Sequence, residues 1–464
     1  MELLAPNIQH YHWGDYAFIP ELQGRLKGDQ PEAELWMGAH LTSPSKTVES
    51  NRGLDDIISN NRDETLGPWR GSFGDELPYI MKILAIREPL SLQVHPDAKE
   101  AEEGFISQQS NPDETGFYTS SQGKEEVVCA LTETDLKFGF RSRNEIQSII
   151  AAIGSQELHS LWEDFLEESL GKEHKSGLLM GKRSIERFED TIANIFKIEP
   201  DNIRLITAAT LSVDMSSTII SEKELKYFAD LAQAYPSDPG LLIYLFMNFV
   251  TLEAGDFLHV RSGVTHQYLY GNVVEVTSNS DNVIRCGLTP KDVNVQKYLS
   301  IGWIRPVKPM IQKPEESLQI YESPTPFTLS RLRIEGKWGT HVYGPEILIS
   351  IQNPFTIENE LGETLQVSQG QPVWIPYSDR NYTITGDCLL FRCATSKDDV
   401  EDLIRSRNEN WIKRDEEIAI VYGEGMTRAK LIEEKEKKRR EYQEFLKKLR
   451  RDVMQLREEK KNDK

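Results

Sequence analysis

The sequence predicts a mainly β fold with a helical insertion and a charged C-terminal helix, and three observations carry that prediction. Strand-like runs fill about the first 140 residues. Apolar residues at three- and four-residue spacing then take over from about 142 to 235, and strand texture returns until about 395. The chain has 464 residues, enough for two or three domains, and its 38% apolar fraction supports a buried core.

The elements follow in order. LPYIMKILAI, PLSLQVHP and EEVVCALT are β-rich runs, two of them touching Pro. NEIQSIIAAI, ELHSLWEDFLEESL and KELKYFADLAQAY are amphipathic and predict helices. GLLIYLFMNFVTL, GDFLHV, HQYLY and NVVEVT predict strands, and a third β segment runs from about Pro324 to Thr395. From about Lys397 the chain turns strongly charged. Arg428 to Lys464 carries 15 Lys and Arg against 9 Asp and Glu. Tyr442, Leu446, Leu449, Val453 and Leu456 form a stripe of about two heptads, too short for a convincing coiled coil. The expectation is a helix lying on its own body, with pairing to a second chain as the alternative and a route to an oligomer.

The formal net charge of −20 argues against nucleic acid as a partner, and any site for an anionic substrate must be locally basic. Cys129, Cys286, Cys388 and Cys393 show neither CxxC pairing nor a disulfide-scaffold spacing, as expected of a reduced intracellular protein. MELLAPNIQHYHWG lacks the basic and apolar regions of a signal peptide, and no apolar run nears the roughly 18 residues of a membrane span. A cytoplasmic protein is expected.

Chemistry concentrates in a few short runs. In SLQVHP, Gln93 and His95 stand two apart on a strand and so face one side. Such a His is either a core residue or a metal ligand. In GDFLHVRSGVTH, Gly255, Gly263 and His266 come close to the second signature of the cupin barrel, with Arg261 where Pro is usual. Turn glycines let the chain reverse and aim His266 inward. His259, on the preceding strand, reads as structural. GKEEVVCALT offers Glu125 and Glu126 at a strand head, where exposed edge charges are the plainer reading. A Gln, two His and one Glu together make an oxygen–nitrogen site for a borderline divalent metal, with positions left open for substrate. One charged ligand leaves a divalent site at net +1, suited to an anionic intermediate.

Along most of residues 1–395 the chain resembles the type I phosphomannose isomerases. The resemblance rests on Tyr11-His-Trp13-Gly14, AELWMG, LPYIMKIL, LSLQVHPD and SDNVIRCGLTPK. It implies a single zinc ion held by Gln93, His95, Glu126 and His266. It also carries over Lys124, Glu275 and Arg285 as catalytic residues, and Trp13, Lys82, Asp281 and Lys291 as substrate-binding residues. Two departures stand out. The family commonly has His-Lys-Pro-Glu where this chain has Gly123-Lys124-Glu125-Glu126, so a His is absent and Glu125 competes with Glu126; register favours Glu126. The Lys of HPDAK, Lys99, falls one position late and is left out of the site.

GQPVWIP repeats the Gly-to-Pro spacing at Gly370 and Pro376, but Ser378, Asp379 and Arg380 stand where a His should follow. This predicts a second, metal-free cupin barrel, with His341 structural. The expected division is a catalytic barrel from 1–140 and 236–310, a helical domain over 141–235, the second barrel over 311–396 and the extension over 397–464. The activity the resemblance implies is interconversion of mannose 6-phosphate and fructose 6-phosphate through an enediol. Glu275 is the first choice as base; its structural alternative is a buried partner of Arg285 or a Lys. Two other readings are an isomerase with a different sugar preference and a sugar-binding cupin without turnover.

Overall fold

Period-two alternation decides which way the main sheet faces. In the strand Tyr79–Ile86, Tyr79, Met81, Ile83 and Ala85 enter one apolar core, so Lys82 lies with Leu84 and Ile86 on the other face. Val127 and Cys129 of the strand Glu126–Ala130, and Val274 and Val276 of the strand His266–Ser278, join the same core. Glu126 and Glu275 therefore turn to the face that carries Lys82. The three strands are neighbours in antiparallel register, with Glu275 opposite Lys82 and Thr277 opposite Glu126.

The computed structural model describes residues 1–67, 76–110, 117–166, 182–314, 317–321, Ser323 and 325–395. The expected charged helix over 397–464 lies outside the described residues. Among the described residues, antiparallel ladders build two sheets, of 11 and 9 strands, accompanied by 11 helices. The sheets share a core in which Leu35, Met81, Val127 and Val274 meet Ile347, Ile349, Trp374 and Phe391. Burying each such side chain contributes about 1.5–3 kcal/mol, so the shared core holds the sheets firmly together. All four cysteines are free and buried.

The helices form where the three- and four-residue spacing is strongest. Arg143–Ile153 buries Ile146, Ile149, Ile150 and Ile153. Ser142 and Glu145 make a reciprocal capping box at its start, and Gly154 ends it at φ 65°. Replacing such a cap costs about 1 kcal/mol. Four further helices, Gln156–Leu166, Lys182–Ile195, Pro200–Leu211 and Glu222–Ala234, complete the helical part. Buried rings of Trp162, Phe188 and Phe246 pack at its centre.

Three expectations change. GLLIYLF is not strand: Gly240–Phe246 is a helix with every residue buried, and the strand begins only at Met247. A run that is apolar on all sides lacks the periodicity that separates buried helix from buried strand. The first 140 residues are not all strands and turns, since they include Leu54–Asn60 and Ala98–Ser110 as helices. HQYLY and NVVEVT are one strand, His266–Ser278, which shifts register between Tyr268 and Tyr270. The short strands Glu2–Ala5 and Lys46–Thr47 join the smaller sheet, through pairing of Leu3 with Val373 and of Leu4 with Thr47. Among the described residues no helix is long and apolar enough to cross a membrane.

Candidate metal centre and substrate pocket

His95, Glu126 and His266 meet beneath the pocket with their donor atoms within 4.8 Å of one another, and all three are buried. The strand Leu92–Val94 sends Leu92 and Val94 into the helical core, which turns Gln93 the other way. His95 follows just past the strand end on the side of Gln93. Gln93 lies between His266 and Arg285 in register on its two neighbouring strands. Its carboxamide reaches within 3.3 Å of His266 Nε2.

Backbone carbonyls fix both imidazoles. His95 Nδ1 lies 2.9 Å from the Asn282 carbonyl oxygen, and His266 Nδ1 lies 2.9 Å from that of Val264. A carbonyl accepts only, so each Nδ1 carries the proton and each Nε2 presents a lone pair. His95 Nε2 then lies 2.9 Å from Glu126 Oε2, itself a buried acceptor without a hydrogen-bond partner. Two lone pairs converging in a buried site call for a cation between them. Lys124 Nζ is drawn there, 3.2 Å from His95 Nε2 and 3.6 Å from Glu126 Oε2. Burial holds the His95 imidazolium down to about 3 and lowers that of His266 also, so both rings are neutral donors. Two neutral imidazoles, one carboxylate and a nearby carboxamide suit a borderline divalent ion.

A second carboxylate lies beside the first. Glu275 forms a 3.0 Å ion pair with Lys82, both buried, so its structural partner is a Lys and not Arg285. Burial, together with the charge of Glu126, pushes the Glu275 carboxyl up to about 8. Burial acts on Glu126 in the same sense, but the charge of Lys124 and a hydrogen bond with Glu275 outweigh it and hold it ionised. Adjacent carboxylates in one dry site separate in this way.

Above them opens a pocket of about 250 Å³, lined by Trp13, Lys82, Gln93, Lys124, Glu275, Asp281, Arg285 and Lys291 among others. Trp13 stacks on Tyr11 with centroids 5.7 Å apart, and Lys291 Nζ lies 5.1 Å from the Tyr11 ring. Asp281 is held by His40 at 3.0 Å. Burial lowers the pKa of Arg285, and burial with the Arg285 charge lowers that of Lys291. A groove of about 340 Å³ between the helices Pro200–Leu211 and Glu222–Ala234 is larger, but it lacks a convergent set of titratable groups.

Glu125 turns out of the site toward His259 and Ser262. Lys99 pairs at the surface with Glu103, and His341 bonds to the exposed Asn381. Sequence reasoning passed over Tyr268, whose hydroxyl donates to Glu126 Oε1 at 2.8 Å. It stands two residues after His266, so the alternation that placed Gln93 with His95 also identifies it. Trp36, 5.0 Å from Lys82 Nζ, and Asn282, which bonds to Thr119, Ser120 and Gln122, were likewise inside quoted motifs.

A metal-site enzyme on antiparallel sheets is the class that this fold and centre define. The family described as phosphomannose isomerase type I, catalytic domain, matches residues 1–143. The mannose-6-phosphate isomerase of Salmonella typhimurium is 30% identical over 308 residues, 65% of this chain and 74% of the relative. That of Shigella flexneri is 28% identical over 408 residues, 84% of this chain and 99% of the relative. A solved mannose 6-phosphate isomerase bound with zinc and yttrium superposes with TM-score 0.75 at 26% identity, covering 86% of this chain and all of its own. The chain belongs to the mannose-6-phosphate isomerase family, and it is an isomerase that binds metal.

Proposed function

We propose that the chain interconverts mannose 6-phosphate and fructose 6-phosphate by moving a proton between C1 and C2 of the open-chain sugar, with one zinc ion held by Gln93, His95, Glu126 and His266. The observation that carries this reading is the convergence of the two Nε2 lone pairs on Glu126 Oε2, beside the Glu275–Lys82 pair. Zinc, when bound, supplies Lewis acidity that stabilises charge developing on the sugar oxygens by several kcal/mol.

The rest is the work of side chains. Glu275 is the base that takes the proton and returns it to the neighbouring carbon, and a carboxyl tuned toward neutral pH suits both directions. Lys82 orients it. Arg285 faces the pocket and stabilises negative charge on the enediolate. Lys124 and Lys291 add the local positive field that a chain of net charge −20 lacks. Trp13 walls the pocket against water, and Asp281, fixed by His40, binds sugar hydroxyls.

The same reading divides the chain into a catalytic cupin barrel, a helical domain, a second, metal-free barrel and a charged helical extension. The helix Gly240–Phe246 supports ending the helical domain at 246 rather than 235. Four free buried cysteines fit a reducing compartment such as the cytoplasm.

Metal analysis of the purified protein, with turnover of mannose 6-phosphate before and after chelation, tests the reading. One zinc per chain is expected, with turnover lost on chelation and restored by zinc. Full turnover by metal-free protein overturns it.

A further inference from the structure

The carboxylate beside Glu126 serves the centre from behind. With Glu126 turned inward, strand alternation turns Glu125 outward. Its Oε1 accepts a 2.7 Å hydrogen bond from Ser262 Oγ, and its Oε2 lies 3.0 Å from His259 Nε2. The Ser262 hydroxyl also lies 3.2 Å from the Lys124 carbonyl oxygen. Glu125 exchanges two further bonds with Ser278, its carbonyl accepting from the Ser278 N–H at 2.9 Å and its own N–H donating to Ser278 Oγ at 3.2 Å.

Ser262 sits in the turn that delivers His266. The next residue, Gly263, donates its N–H to the His95 carbonyl oxygen at 2.8 Å. The turn is thus continuous with one donor, tied by backbone to a second, and clamped by the Glu125 side chain to the segment carrying the third. A separation set by a side chain can be altered without touching any donor. Each donor must stand within a few tenths of an ångström of its bonding distance for a divalent ion to be held well.

We propose that Glu125 is a positioning residue of the metal centre: its carboxylate, held by Ser262 and His259, sets the gap between Glu126 and His266 and so the fit of the donors to the ion. This rests on the metal reading given above.

Competition of zinc between the full-length protein and a chromophoric chelator tests it. Partners one layer behind the ligands typically change metal affinity about 10–100-fold. Glu125→Ala is expected to weaken zinc binding by that factor, with turnover recovering in excess zinc. Glu125→Gln, which keeps an acceptor for Ser262, is expected to fall between Ala and the parent. Ser262→Ala, which removes one hydroxyl, is expected to match Glu125→Ala, and the double variant to be little worse than either single, as coupled partners behave. It also carries the test if Glu125→Ala folds poorly. Parent-like zinc affinity in both single variants overturns the proposal while leaving the metal reading intact. A parent protein that binds no zinc overturns both.

Discussion

Gly123 packs directly on the backbone of Ala98. A Cβ at position 123 would stand 2.8 Å from Ala98 Cα and 2.5 Å from the Asp97 carbonyl carbon. The Lys124 N–H donates to the Pro96 carbonyl oxygen at 3.0 Å, which fixes the approach. The backbone at 97–98 therefore fills the space that a side chain at 123, such as the His expected there from the family motif, would need.

Restoring that His should consequently damage the enzyme. Gly123→His must displace Asp97–Ala98 or the strand that carries Glu126. Such overpacking costs about 1–3 kcal/mol. Thermal unfolding and zinc content report it: a lower Tm and weaker zinc retention are expected. A variant with unchanged Tm and higher turnover sinks the account.

Glu275 gives the pH dependence its sign. A base works deprotonated, so kcat/KM rises with pH as Glu275 ionises and levels off above its pKa. That carboxyl lies at about 8, raised by burial and by the charge of Glu126. A divalent ion on Glu126 offsets the second cause, so the rising limb of the holoenzyme belongs below 8. The pH–rate profile of the parent should show this limb and that of Glu275→Gln should lose it. An identical limb in Glu275→Gln assigns the titration elsewhere.

Arg285→Ala should separate catalysis from folding. Arg285 pairs in register with Gln93 and is half-buried at the pocket wall. Removing a donor aimed at developing charge typically lowers kcat about 100- to 1000-fold. Zinc content and Tm should stay near those of the parent. Loss of the folded state would make Arg285 structural.

Glu224→Gln is the complementary case, a large stability change without a catalytic one. Glu224, on the helix Glu222–Ala234, is a buried ion-pair partner of both Lys137, on the main sheet, and Arg141. Neutralising it leaves Arg141 buried without its counter-charge and Lys137, already lowered to about 7 by burial, without the partner that keeps it protonated, which costs about 3–5 kcal/mol. Denaturant unfolding should show that loss, while kcat below the transition stays near the parent value. An unchanged midpoint would mean that water reaches the trio.

What could be read from the sequence was whatever depends on local spacing. Gln93 and His95 share a face because strands alternate, and register chose Glu126 over Glu125, which the geometry separates inward and outward. The helices from Arg143 onward showed their stripe. GLLIYLF misled because an all-apolar run has no stripe to show. The closeness of Gly123 to Ala98 and the bonds from Asn282 to residues 119–122 join segments distant in sequence, and spacing within a motif is silent about them.

The strand Glu2–Ala5 sets a timetable for folding. Its partner across the smaller sheet, around Val373 and Trp374, is translated some 370 residues later. At roughly 5–20 residues per second, the first strand waits on the order of 20–70 s on the ribosome before that ladder can form. Lys46–Thr47 is made much sooner and pairs with its other edge, so one side of the strand can be covered before the ladder to Val373 forms. Closure of the smaller sheet is thus a late, long-range event.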